Sequence, residues 1–269
     1  MTPFHPLLPV RFPRLSFLLS PVIRPQCLVC HRALRPVFPA TPTLCHRCVP
    51  RESLAIDHTT HCSSCGLSST DATCERCLLF PLPFASFHAS FHYRGAVRDL
   101  VRAMKFTPSK KLARLIAHNL TSSILTEPPP PFPWELVIPI PSGPYSSRKR
   151  LFTPTIIAAR EIGSAIGMPV VPSALSAHRS RALQASLLST KERFANSREA
   201  FTASSKVVRD KHILLVDDVI TTGATIAAAT TALLDAGAAT VAVRAFALSH
   251  RFERTRPDLY QFLKERRYR

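Results

Sequence analysis

Ile213-Leu-Leu-Val-Asp-Asp-Val-Ile-Thr-Thr-Gly-Ala-Thr225 is the stretch whose reading decides the fold. Its first four residues are bulky and apolar without polar alternation, the pattern of a central parallel strand buried on both faces. Asp217 and Asp218 then stand at the carboxyl end of that strand, the edge at which open α/β sheets bind ligands. Thr221, Thr222, Gly223, Ala224 and Thr225 make the turn that follows. Ile226 to Ala236 reads as an alanine-rich helix closed by Gly237. The turn gathers backbone N–H groups, the positive end of a helix dipole and three hydroxyls, which suits a phosphate dianion. The two carboxylates suit the 2′ and 3′ hydroxyls of a ribose, or a hydrated magnesium ion. An ordinary strand, turn and helix with a capping aspartate is the plainer alternative, but capping needs one acid and not two acids with three threonines.

Working outward, Leu136-Val-Ile-Pro-Ile-Pro141 and Thr240 to Leu248 read as further buried strands, with a helix from Thr155 to Gly167 and a short strand near Val170-Val171 between them. Upstream, Phe87, Ala89, Phe91 and Tyr93 alternate along a strand that Gly95 ends. Val97, Leu100, Val101 and Met104 then recur at helical spacing, and a second helix runs from about Lys110 to Leu125. Alternating strands and helices predict an α/β fold, a parallel sheet flanked by helices. The expected divisions are a basic, Pro-rich arm over 1–26, a Cys-rich module over 27–80, the α/β domain over 81–250 and a basic tail over 251–269. Pro128 to Pro133 is a stiff linker or loop.

All eight cysteines precede residue 80, in four Cys-x-x-Cys pairs: Cys27/Cys30, Cys45/Cys48, Cys62/Cys65 and Cys74/Cys77. Two such knuckles complete a tetrahedral site of four thiolates, so structural zinc, one or two ions, is the expectation. Disulfides would suit a secreted chain, and Leu15 to Ile23 is too short, and too interrupted by Pro21, to read as a secretory signal or a transmembrane segment. An iron–sulfur or redox role is the third alternative. Spacing leaves the grouping open between sequential pairing, a cross-brace, and one occupied site beside a degenerate one. His31, His46 and His61 adjoin the cysteines and are expected to be bystanders.

The 269 residues hold 35 Lys+Arg against 17 Asp+Glu, a formal net charge of +18. Such an excess attracts polyanions, nucleic acid before an anionic membrane, with a generally basic, Arg-rich composition as the plainer alternative. The loop after the strand at 136–141 carries Arg148, Lys149 and Arg150, which read either as three cations suited to pyrophosphate or DNA phosphate, with Lys105 as a further candidate, or as a solvated basic loop. Phe87, Phe91, Tyr93 and Tyr145 are the candidate base-stacking aromatics, the first three of which alternate as core residues do.

The 213–225 stretch resembles the phosphoribosyl pyrophosphate (PRPP) signature of type I phosphoribosyltransferases at all thirteen positions. Over roughly residues 27 to 248 the chain resembles the ComF family, phosphoribosyltransferase-like proteins associated with competence. Four features carry the resemblance: the cysteine knuckles; Tyr93-Arg-Gly95 with Leu100 and Met104-Lys-Phe106; Val137-Ile-Pro-Ile-Pro141; and Arg179 with Gln184, Leu188, Arg193, Asn196 and Ala200-Phe201. One segment departs from the family. Where its members carry Arg-Gly-Phe-Asn-Gln, this chain reads Arg150-Leu-Phe-Thr-Pro154, losing the glycine and both amides.

The resemblance implies a cytoplasmic protein, at or near the inner face of the membrane, that handles incoming single-stranded DNA in natural transformation. Its implied partners are a ComF helicase-type protein and the DNA-processing protein that loads recombinase. Two function classes follow. One is an active transferase, with magnesium-bound PRPP on Thr221 to Thr225, Asp217 and Asp218 as the catalytic and ribose-binding acids, and a small nitrogenous acceptor displacing pyrophosphate. The other is a DNA-binding adaptor that keeps the fold and a PRPP-type ligand.

Overall fold

A computed structural model describes residues 25–34, 43–50, 54–56, 61–66, 68–79, 82–106, 109–126, 132–141, 153–178, 200–250 and 252. In chain order the elements are α1 (Glu75–Leu79), β1 (Ser86–His92), α2 (Gly95–Phe106), α3 (Lys110–Thr126), β2 (Leu136–Pro139), α4 (Pro154–Ile166), a 3-10 turn (Pro172–Ala174), β3 (Leu175–Ala177), β4 (Phe201–Ala203), α5 (Ser205–Val208), β5 (His212–Ile220), α6 (Ala224–Asp235) and β6 (Thr240–Leu248). The main sheet runs β1, β6, β5, β2, and its pairs are all parallel. β3 and β4 pair antiparallel as a small separate sheet.

The apolar run at 213–216 is buried on both faces, as its lack of alternation predicts. Ile213 and Leu215 pack with Val241, Val243 and Ala245 of β6 and with Ile226, Ala227 and Leu233 of α6. Leu214 and Val216 pack on the other face with Ala117 and Leu120 of α3 and Ala158 and Ile162 of α4. Successive strand residues point to opposite faces, so four consecutive apolar residues are what a sheet covered on both sides requires. All four have no exposed surface, and burying each side chain is worth about 1.5–3 kcal/mol. The helix at 95–106 buries the expected Val97, Leu100, Val101 and Met104 against Leu112, Leu115 and Ile116 of α3, with Phe91 and Phe246 in the same cluster.

The helix expected from Thr155 ends as its sequence suggests. Gly167 adopts φ +70°, and its N–H returns to the carbonyl of Gly163. The short strand expected near Val170-Val171 is reduced to a single bridge, Val170 opposite Val137. Pro172 opens a 3-10 turn directly after it and has no N–H to continue a ladder. β1 stops at His92, before the expected Tyr93, and Gly95 opens α2 with φ +51°. Of the basic arm only Pro25 and Gln26 are among the described residues, and of the tail only Phe252, whose ring stacks on Phe87 at 5.8 Å.

β1 is an edge strand of the sheet, and the segment around the cysteines covers it. The Phe87 N–H donates to the Ser63 carbonyl at 3.0 Å, the Ile56 N–H donates to the Ser90 carbonyl at 3.1 Å, and Ala55 bridges Phe91 antiparallel. Covered edges do not recruit foreign strands. Gly66 is the closest point of this contact. It sits at φ +67°, and a Cβ there would lie 2.4 Å from the Phe87 ring.

Gly66→Ala therefore combines a left-handed backbone penalty with overpacking, and is expected to cost about 2 kcal/mol or more. Urea denaturation followed by fluorescence and circular dichroism checks this. A variant as stable as wild type would mean that the contact with Phe87 gives way freely.

Candidate functional site

β5 does not end at the acids. It continues through Val219 and Ile220, which pair with Ala247 and Leu248 of β6, so Asp217 and Asp218 lie inside the strand on that side. On the other side the ladder with β2 stops at Pro139 opposite Val216. The acids therefore stand one step beyond the end of β2, open toward the carboxyl edge. The β-branched Val219 and Ile220 explain the extension, with Ile220 only 2% exposed and its carbonyl accepting the Ser249 N–H at 2.8 Å.

The two carboxylates have different surroundings. Asp218 accepts a hydrogen bond from Lys105 Nζ at 2.9 Å, an ion pair between the end of α2 and the centre of the sheet. Burial disfavours the Lys105 charge, but Asp218 above all, with Asp217 and Tyr93, outweighs it and holds the ammonium above its ordinary range. Asp217 is 9% exposed and accepts the Asp218 N–H at 2.8 Å. Burial first, then the neighbouring Asp218 charge, push its carboxyl up to about 7, against the lowering pull of Lys105 and that N–H. Lys105, expected from sequence to meet phosphate, is thus placed at the acid pair.

The turn after β5 is glycine-dependent. Gly223 takes φ +82° as the residue preceding α6, and its carbonyl accepts the Ala227 N–H at 2.9 Å; this backbone region favours glycine. The three hydroxyls divide into two kinds. Thr221 and Thr225 are exposed, while Thr222 is buried and accepts the Ala224 N–H at 3.4 Å. Ala224 is buried at the start of the helix. Thr153 and Pro154, within the segment that departs from the ComF pattern, precede and open α4, with Thr155 Oγ1 donating to the Ile140 carbonyl at 3.1 Å. Proline at that position is preorganised for a helix start and offers no donor. Arg148, Lys149, Arg150, Tyr145 and the Arg179 to Asn196 features lie outside the described residues. Phe87 and Phe91 are core residues, 0% and 3% exposed.

The cysteines gather in sequence order. Cys27, Cys30, Cys45 and Cys48 form one cluster, and Cys62, Cys65, Cys74 and Cys77 the other, each with its sulfurs within 4.8 Å of one another. None is in a disulfide. Neighbouring sulfurs stand 3.6 Å apart for Cys30 and Cys45, and 3.9 Å apart for Cys65 and Cys74. Tetrahedral zinc with bonds of about 2.3 Å separates its sulfurs by about 3.8 Å, so both clusters could hold an ion of that size. The Cys74 N–H also donates to Cys62 Sγ at 3.3 Å, a contact that favours thiolate.

The first knuckles of the two clusters share one backbone form, a feature the spacing of the cysteines alone did not disclose. One offset relates Gln26 to His61, Cys27 to Cys62, Cys30 to Cys65, His31 to Gly66 and Ala33 to Ser68. Gln26 bridges Ala33 as His61 bridges Ser68. His31 and Gly66 both have positive φ, and both return their N–H to the first cysteine carbonyl of their knuckle, at 2.9 and 2.7 Å. His31 thus fills a left-handed backbone position. The flanking residues differ at every compared position, so the likeness is one of backbone geometry.

Two outcomes follow. Purified protein is expected to carry two zinc ions per chain by elemental analysis, and Cys65→Ser one; a metal-free preparation that keeps its fold would overturn the zinc reading. For Asp217, the folded carboxyl titrates near 7 and the ordinary value is 3.8. The folded state therefore binds the extra proton, and this group's stabilising effect is lost as pH rises from about 4 through 7. At about 1.4 kcal/mol per unit the ceiling is on the order of 4 kcal/mol. Asp217→Asn should gain in Tm over wild type between pH 5 and pH 8; a gap that does not change with pH would refute the shift.

Residues 157–264 match the family model described as phosphoribosyl transferase domain. That span contains β5, both acids and the Thr221 to Thr225 turn, and excludes Lys105 and the cysteines. The DNA utilization protein YhgH of Salmonella typhi is 29% identical over 189 residues, covering 68% of this chain and 81% of that protein. YhgH of Escherichia coli (strain K12) is 27% identical over 191 residues, covering 68% and 82%. Among solved structures, adenine phosphoribosyltransferase from Saccharomyces cerevisiae matches 60% of this chain and 78% of its own at 16% identity and a TM-score of 0.36. An allosteric regulatory enzyme of purine biosynthesis matches 49% and 25% at 24% identity and a TM-score of 0.34. The chain thus carries a phosphoribosyl transferase domain match behind two four-cysteine clusters that could hold zinc, and over 68% of its length it is similar to YhgH proteins named for DNA utilization.

Proposed function

We propose that this protein binds single-stranded DNA together with a PRPP-type phosphoribosyl ligand, and serves DNA uptake. The observation that carries the ligand half is the placement of Asp217 and Asp218 one step past the end of β2, directly before the Gly223 turn and α6. In this reading the 5′-phosphate lies on the Thr221 to Thr225 turn, where the exposed hydroxyls of Thr221 and Thr225 and the start of α6 favour an anion. The acids face the ribose, and a bound magnesium ion would supply charge for the pyrophosphate. Lys105 holds Asp218 in place and lowers the negative charge that an incoming polyanion meets. The DNA half is supported by the +18 charge and by relatives named for DNA utilization.

The second reading is a transferase acting on a small nitrogenous acceptor in nucleotide metabolism, favoured by the undamaged acid pair and turn. In it, the same residues would bind the ribosyl-cation-like transition state more tightly than PRPP.

The test is a salt series of fluorescence titrations with a labelled single-stranded oligonucleotide, with and without magnesium and PRPP, beside calorimetry with PRPP alone. The expected result is salt-steep oligonucleotide binding. In calorimetry the Asp217→Asn, Asp218→Asn double variant should lose PRPP binding while keeping its circular dichroism. Unchanged PRPP affinity in that variant would remove the site, and no oligonucleotide binding at moderate salt would leave the transferase reading in possession.

A further inference from the structure

The described part of the basic surface is not evenly spread. Residues 94 to 118 hold seven Lys+Arg and a single acid, Asp99. They belong to α2, α3 and the positions just before α2. Arg94, Arg98 and Arg102 recur every fourth residue, so they follow one face of α2 with about 6 Å of rise per step, and all three are exposed. The stripe leads toward Lys105, which reaches Asp218 at the candidate site. On α3, Lys110, Lys111 and Arg114 are exposed, followed by His118 one turn on.

Two aspects of this arrangement work against the isolated helices. Like charges at i and i+4 repel along α2, eased at Arg98, whose Nε donates to the exposed Asp99 at 3.5 Å. Lys110 and Lys111 occupy the first turn of α3, which contains no acid, so they face the positive end of the helix dipole. An anion laid along both helices relieves both conflicts. Between the two basic stretches, at the end of α2, stands Phe106, an aromatic that is 77% exposed. A polyanion with flat apolar faces along its length fits cations and an uncovered ring together, and unpaired nucleobases supply those faces.

We propose that the exposed faces of α2 and α3 form the track for single-stranded nucleic acid, with Arg98, Arg102 and Arg114 on backbone phosphates and Phe106 stacking on a base. This rests on the DNA-binding reading above and assigns it a surface. The track ends at Lys105, so a strand lying on it approaches the Asp217 and Asp218 edge from the α2 side.

The test uses the full chain and a labelled oligo(dT) in fluorescence anisotropy over a salt series. The track variant is Arg98→Ala, Arg102→Ala, Arg114→Ala. The control variant, Lys206→Ala, Arg209→Ala, Lys211→Ala, removes equal charge just ahead of β5, at the opposite edge of the sheet. With about 0.7 of salt slope per phosphate contact on a single strand, the track variant should flatten the slope by about two, and the control should leave it unchanged. Phe106→Ala should weaken binding at least about 5-fold at unchanged slope, and Phe106→Trp should retain it. Equal slopes for track and control variants, with wild type binding, would overturn the track and leave DNA binding standing. Failure of wild type to bind oligo(dT) would overturn the DNA reading itself. Loss of binding to phosphatidylserine vesicles in the track variant, with oligo(dT) affinity intact, would reassign the surface to membrane and defeat the proposal.

Discussion

Burial of β5 on both faces is the constraint on which the rest depends. Ile213 and Leu215 face α6, Leu214 and Val216 face α3 and α4, and neither set can shift by one residue without exchanging faces. That locks the register, and the register fixes where the acids fall. Since β2 stops opposite Val216 while β6 runs on to Leu248, the acids are held on one side by a ladder and open on the other. The core and the candidate site are consequences of the same alternation.

Charge around the site is balanced locally. Asp218 is countered by the Lys105 ammonium, and burial together with the Asp218 charge raises Asp217 to about 7. The acid pair therefore presents less than two full negative charges to a phosphate-bearing ligand near neutral pH. Lys105 comes from a helix far away in sequence, so α2 is tied electrostatically to the sheet's carboxyl edge. The same helix contributes its buried face to the core and its basic face to solvent.

The cysteine clusters are integrated with the sheet. Cys27, Cys45 and Cys48 share a cluster with Val97, Leu100 and Met104 of α2, and Gly66 of the second cluster meets Phe87 of β1. The covered edge of β1 and the close approach at Gly66 make the knuckles part of the fold's closure. Among the described residues, no helix is long and apolar enough to cross a membrane.

Sequence by itself determined the elements whose signal is local. The unbroken apolar run at 213–216, the glycine that ends α4 and the paired Cys-x-x-Cys knuckles each report a condition that nearby residues must meet, so the parallel sheet and its flanking helices were legible. It left open how the knuckles group, since two sequential sites and a cross-brace use the same spacing; only folding brings Cys27 beside Cys48 and Cys62 beside Cys77. It placed the end of the central strand at the acids, because the pairing of Val219 and Ile220 depends on β6. It did not disclose the Lys105–Asp218 ion pair, because a contact across 113 residues leaves no trace in spacing. Periodicity and short-range sterics are written along the chain, whereas partners separated by most of a domain are chosen by packing.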